Sequence, residues 1–368
     1  WAPSLRCEHT PGSRYHVAER PMETLRVYSE TLPYAGLVRP RRIELLSRYG
    51  LELVLAVRPW DEPELPRVAQ TLRDAGVPLS IWPMLSDEEG RWASMHNAPA
   101  FGRLTRSVCD ALEAAGAPPC DVLFDLEPPF AAVRSLASLG AAGSRSPDGL
   151  VRFASGFARA KPAAFEAASQ ALARTVAEIH ERGITTSMAV WPLVALDPPG
   201  EEAWQSLLGT PVDALGTRHV SVMVYTSILE GWSRRALRRR DTTELLAAAT
   251  VRTMRRWGPS AGISLGCVGT GALADEPTYR DPSELAEDVA IARASGCEKL
   301  TLFDLGGVLS REPAEAWLDA FVSGGEARGG PTSKRVRAAR TLARAAYTLV
   351  RALSPSARAP RHDWEAVK

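Results

Sequence analysis

Eight short apolar or alternating runs, each followed by a segment of helical periodicity, constrain this 368-residue chain more than any other feature. The runs span residues 25–30, 51–58, 79–84, 121–127, 185–191, 220–225, 262–268 and 299–305. Each is rich in Val, Leu, Ile or aromatic residues and has the length of a buried strand. Between them, residues 41–49, 64–75, 101–115, 163–182, 243–257 and 283–295 repeat apolar side chains at helical spacing, as in Leu65, Val68, Ala69 and Leu72. Gly183, Gly258 and Gly296 stand where three of these helices must stop. Strict alternation of strand and helix predicts a parallel sheet with its helices outside. Eight units within about 300 residues fit a closed (β/α)8 TIM barrel better than an open doubly wound sheet. The open sheet also needs a glycine cradle after its first strand, and Ser29-Glu30-Thr31-Leu32-Pro33-Tyr34 supplies none.

One domain is therefore expected over 25–324, with an insertion at 128–161 after the fourth strand. An extension at 1–24 precedes it, and a basic helix and tail at 325–368 follow. The helix carries Val336, Leu342, Tyr347, Leu349 and Val350 and is expected to pack against the barrel.

Charge narrows the partners. Lys and Arg number 44 against 43 Asp and Glu, a net charge of +1, so no global field favours nucleic acid or an anionic membrane. No apolar run is long enough for a membrane span. The five cysteines are dispersed without metal spacing and read as buried thiols rather than a disulfide framework. No leader is visible in a sequence that begins at Trp1, which leaves cytoplasmic and secreted settings both open, and nothing sets an oligomeric state. The six histidines are scattered, so no cofactor and no His-based metal site is expected. Gly266-Cys267-Val268-Gly269-Thr270-Gly271 follows the seventh run, where a tight turn or a phosphate loop both fit.

Catalytic groups of such barrels project from the carboxyl ends of the strands. That rule selects Glu30, Asp125 and Glu127, Tyr225 and Asp304, with Met223 just before Tyr225. Asp125 and Glu127 are two apart, so both face the barrel axis while Val122, Phe124 and Leu126 face the helices. Neighbouring carboxylates disfavour double ionisation, and a retained proton is what a general acid needs. Trp60, Trp82 and Trp191 also fall at strand ends, where aromatic faces suit sugar rings.

The sequence Phe124-Asp125-Leu126-Glu127 on the fourth strand, with Met223-Val224-Tyr225 on the sixth, resembles the glycoside hydrolase family 18 barrels, the chitinases and endo-N-acetylglucosaminidases. That family carries DxxDxDxE on strand four and MxYD on strand six. The resemblance implies that Glu127 protonates the glycosidic oxygen while the substrate's own 2-acetamido group attacks the anomeric carbon. Asp125 and Tyr225 would then orient that group. Cys120 and Leu123 stand where the motif's first two aspartates would be, and Thr226 follows Tyr225 in place of Asp. The expected function is hydrolysis of a neutral saccharide, with N-acetylhexosamine implied by the resemblance. Glu30, Trp60, Trp82, Trp191, Met223 and Asp304 are the expected substrate contacts. The alternatives are a non-catalytic saccharide-binding barrel and a metal-dependent barrel enzyme acting on small molecules.

Overall fold

The computed structural model describes residues 25–134, 162–233, 236–327 and 332–353. The 1–24 extension, most of the insertion (135–161) and the end of the tail lie outside the described residues. Eight strands, β1 (Arg26–Ser29), β2 (Glu52–Val57), β3 (Leu79–Pro83), β4 (Asp121–Leu126), β5 (Thr185–Val190), β6 (His219–Met223), β7 (Ala261–Gly266) and β8 (Leu300–Phe303), close a parallel barrel in sequence order. The seam is made by Arg26 opposite Thr301 and Val27 opposite Leu302. The chain is thus a (β/α)8 TIM barrel. Helices Pro40–Arg48, Leu65–Asp74, Ala98–Ala114, Pro162–Glu181, Arg239–Trp257, Pro282–Ala294 and Ala314–Ser323 surround it.

Parity along the strands decides where each side chain goes. On β4, Val122, Phe124 and Leu126 enter the apolar shell between sheet and helices. Leu123 instead joins Tyr28, Val54, Ala56, Trp82, Ala189 and Phe303 inside the barrel. Each fully buried Leu or Phe side chain contributes roughly 1.5–3 kcal/mol of transfer free energy. The strands are shorter than the apolar runs because Glu30, Arg58, Glu127, Trp191 and Tyr225 leave the ladder at the barrel's mouth. The helix Arg239–Trp257 starts four residues before its apolar periodicity. Its polar first turn is held by a capping box, with the Arg238 N–H donating to Asp241 Oδ2 at 2.9 Å.

The barrel floor is polar. Buried Arg26 pairs with Glu52 at 2.9 Å and Asp121 at 2.7 Å, and donates to Ser80 and Ser187. Burial opposes ionisation of Asp121, but Arg26 and the hydroxyls of Ser187 and Thr185 outweigh it and hold the carboxyl below its usual range.

The helix Lys334–Leu353 packs on Ala203–Leu208 and Arg239–Trp257, as expected. Val350 is buried beside Trp204, and the Tyr347 hydroxyl donates to Glu201. Leu342 and Leu349 remain exposed. Among the described residues no helix is long and apolar enough to cross a membrane. Among the described residues Cys109, Cys120, Cys267 and Cys297 form no disulfide.

Candidate active site at the barrel mouth

Asp125 ends the inward face of β4, and Glu127 follows one residue beyond the strand. Both are buried. The indole N–H of Trp191, one residue past β5, donates to Glu127 Oε2 at 2.6 Å. A charge-assisted bond of this length fixes the carboxyl's direction. Burial pushes Glu127 up to about 7, against the Trp191 N–H, neighbouring Asp125 and the charge of Arg91. Asp125 is raised well above the carboxylate range by burial first, then by Glu127 and Glu30. The pair therefore retains a proton near neutral pH, as the spacing of the two residues predicts.

Tyr225 lies two residues past β6 and immediately precedes the helix Thr226–Trp232. Its ring lies 5.6 Å from that of Phe303, and its hydroxyl proton is held far more tightly than usual by burial and by neighbouring Tyr28, Cys267, Asp125 and Glu127. Tyr225 thus stays a neutral donor at any physiological pH. Met223 packs into the same inner cluster, as does Trp82, which stands 5.1 Å from Tyr28.

Glu30 sits just past β1 and pairs with Arg91 at 3.0 Å. Burial raises it to about 7; Arg91 opposes the shift, while Asp304, Glu276 and Glu127 add to it. Asp304, just past β8, spends one oxygen on the Gly307 N–H at 2.9 Å, capping the helix Leu305–Ser310. Burial lifts it to about 6 against that cap, and Glu276 adds to the rise. The structure thus gathers Glu30, Asp125, Glu127, Tyr225, Trp82, Trp191, Met223 and Asp304 at one end of the barrel. Trp60 is left outside: it is 63 % exposed and stacks on the Arg58 guanidinium, whose terminal nitrogen pairs with Asp87.

Two charged residues at this mouth lie in loops and carry no periodic signal in the sequence. Arg91 belongs to the loop after β3, which docks on the end of β4 through the Ala93 N–H and the Asp125 carbonyl at 2.9 Å. Asn97 staples that loop, donating to the carbonyls of Glu89 and Trp92 and accepting from the Ser94 N–H. Arg91 holds a left-handed backbone with φ of 61°, a conformation that costs about 1–3 kcal/mol for a non-glycine residue. Its guanidinium is clamped between Asp87 and Glu30 and lies 4.3 Å over the Phe130 ring. Glu276 lies in the loop after β7, where one oxygen accepts from the Leu273 N–H at 2.9 Å. Tyr28 shares inward parity with Glu30 and lies in the inner cluster, so strand parity alone points to it.

The glycines after β7 serve close packing around these groups. A Cβ on Gly269 would stand 2.6 Å from Gly307 Cα and 2.7 Å from Asp304 Oδ1. One on Gly271 would stand 2.8 Å from Glu30 Oε2 and 2.7 Å from the Phe303 ring. The loops after β7 and β8 are thereby pressed against Glu30 and Asp304. Chemically, the mouth offers a proton-holding carboxyl pair, a neutral phenol and aromatic walls around it.

No family model and no curated protein matches this chain. Among solved structures it is similar to the PgaB (BpsB) glycoside hydrolase domain from Bordetella bronchiseptica, at 14% identity over 82% of this chain and 99% of that one, with a TM-score of 0.48. It is also similar to a GH18 chitinase from Pseudoalteromonas aurantia, at 13% identity over 81% and 99%, with a TM-score of 0.46. A 3-dehydroquinate dehydratase from Geobacillus kaustophilus aligns at 14% identity over 89% and 91%, with a TM-score of 0.39. What is shared at such identities is the barrel, which the pairing of this chain's own strands establishes.

Proposed function

We propose that the protein is a glycoside hydrolase in which Glu127 is the general acid and base, with Asp125 and Tyr225 assisting. The observation that carries this reading is the state of Glu127. It is a buried carboxyl at the barrel mouth beside Asp125, aimed by the Trp191 N–H at 2.6 Å, and burial pushes it up to about 7. Glycosidic oxygen is a poor leaving group, and a proton donor poised near neutrality lowers that barrier. Asp125, raised by burial and by Glu127 and Glu30, stands beside Glu127 and favours a proton on the pair until Glu127 passes it to the glycosidic oxygen. Tyr225 donates to an acceptor on the substrate, and an acetamido carbonyl fits that role. Trp82, Met223 and the ring of Trp191 supply apolar surface for the sugar.

Saccharide binding without turnover is a second reading, motivated by Leu123, which fills the barrel interior where the related motif has an aspartate. One experiment separates the two. Wild type and Glu127→Gln are screened against 4-nitrophenyl glycosides and chito-oligosaccharides. Hydrolysis of chito-oligosaccharides that falls by about a hundredfold or more in the variant supports catalysis. Saccharide binding with no turnover by wild type supports the second reading.

A further inference from the structure

The helix Lys334–Leu353 has two faces, and the barrel uses one of them. Val336 and Val350 are buried there, and the Tyr347 hydroxyl donates to Glu201. Three arginines hold this inner side to the acids around it. Arg335 pairs with Asp241 at 3.5 Å, Arg340 with Glu244 at 3.8 Å and Arg351 with Glu201 at 3.2 Å. The Ser333 N–H, just before the helix, donates to Glu244 at 2.9 Å.

The opposite face is left in water. Ala338, Leu342, Ala345, Leu349 and Ala352 recur in steps of four and three, which aligns them along one side of a helix. All five are exposed, Leu342 at 70 % and Leu349 at 61 %. The other three cations of the helix, Lys334, Arg337 and Arg344, are exposed as well, and among the described residues none of them has an acidic partner. Steps of three and seven set them along one edge of the apolar stripe. The helix holds six basic residues and no acidic one, whereas the chain before it is net acidic. The near-zero charge of the whole chain is a sum over both, and it conceals a local cationic surface.

This face constrains its occupant by charge and by shape. The occupant must be anionic to meet Lys334, Arg337 and Arg344, and apolar close by to cover Leu342 and Leu349. A nucleic acid meets the charges and leaves the leucines in water. A second copy of the helix covers the leucines but brings only cations against cations. A protein groove that enfolds the helix must first strip Val336 and Val350 from the barrel. A bilayer with anionic headgroups meets both demands and needs the outer face alone.

We propose that the outer face of the helix Lys334–Leu353 docks the protein on an anionic phospholipid surface, with Leu342 and Leu349 entering the headgroup layer and Lys334, Arg337 and Arg344 meeting the phosphates. Six cations keep such a helix lying on the bilayer rather than crossing it. The inner face stays on the barrel, so docking leaves the fold unchanged. This inference is independent of the glycosidase reading.

The test floats the full chain with vesicles of phosphatidylcholine alone and with vesicles of equal parts phosphatidylcholine and phosphatidylglycerol. Wild type is expected to float with the anionic vesicles, to stay behind with the neutral ones, and to be released by added salt. The double variants Arg337→Gln/Arg344→Gln and Leu342→Gln/Leu349→Gln should each weaken binding by about tenfold or more. Both pairs are exposed, so their circular dichroism should match wild type; should one pair unfold, the other decides. Absence of wild-type binding to the anionic vesicles, or undiminished binding in a folded variant, would overturn the proposal. A dimer in sedimentation analysis that Leu342→Gln/Leu349→Gln dissolves would also overturn it, in favour of a second copy. Binding to duplex DNA as tight as to anionic vesicles, and unaffected by the leucine changes, would overturn it in favour of a polyanion.

Discussion

At the scale of single residues, Glu127 sets the pH behaviour. It must carry its proton to donate it, and it loses that proton as pH rises through about 7. The rate is therefore expected to fall on the alkaline side with an apparent pKa near this value. The Trp191 N–H stabilises the ionised form, so Trp191→Phe should move the alkaline limb to higher pH, besides lowering kcat through a less well-aimed carboxyl. A limb that stays in place in that variant would mean that the 2.6 Å bond does not govern Glu127. The pair Asp125 and Glu127 was legible in the sequence because strand parity places alternate residues on one face. Arg91 and Glu276 were not, because loop residues carry no period from which a direction can be read. Trp60 shows the reverse limit. Adjacency to a strand end does not reveal that the chain has already turned outward, leaving the indole against Arg58 in solvent.

At the scale of elements, the strands and helices were readable because each buries a periodic apolar face. The boundaries were less so, since residues such as Glu30 and Tyr225 extend an apolar run past the last ladder bond to serve the mouth. Asp121 shared the inward parity of Asp125, yet sits at the other end of β4, paired with Arg26 in the floor. Strand parity predicts the face of the strand but not the partner across the barrel. This floor has a testable cost. Arg26→Met leaves Glu52 and Asp121 buried without their cation and should destabilise the fold by about 3–5 kcal/mol in urea unfolding. A loss under about 1 kcal/mol would show that the floor is hydrated or relaxes freely. The closeness of Gly269 to Gly307 was outside any sequence pattern, because it depends on two loops meeting in space.

At the scale of the whole molecule, a mouth of raised carboxyls couples function to stability. Burial pushes Glu30 and Glu127 up to about 7 and Asp304 to about 6, whereas unfolded carboxyls titrate near 4. The folded state therefore binds more protons than the unfolded state between those limits. Stability contributed by these groups is fully present below about pH 4 and is lost as pH rises through 6 to 7. Asp121 runs the other way: its lowered value contributes stability above about pH 4 that is lost in stronger acid. Thermal melts should therefore show a higher Tm near pH 5 than near pH 8, and a Tm that rises between the two would contradict this balance. The central claim, that Glu127 donates a proton to the departing oxygen, is tested most directly by varying the leaving group in Glu127→Gln. An alkyl or sugar leaving group needs the proton, and its hydrolysis should fall by about a hundredfold or more in the variant. A 2,4-dinitrophenyl leaving group departs without it, and its bond cleavage should be reduced far less. Equal losses on both substrates, or none on either, would contradict the account.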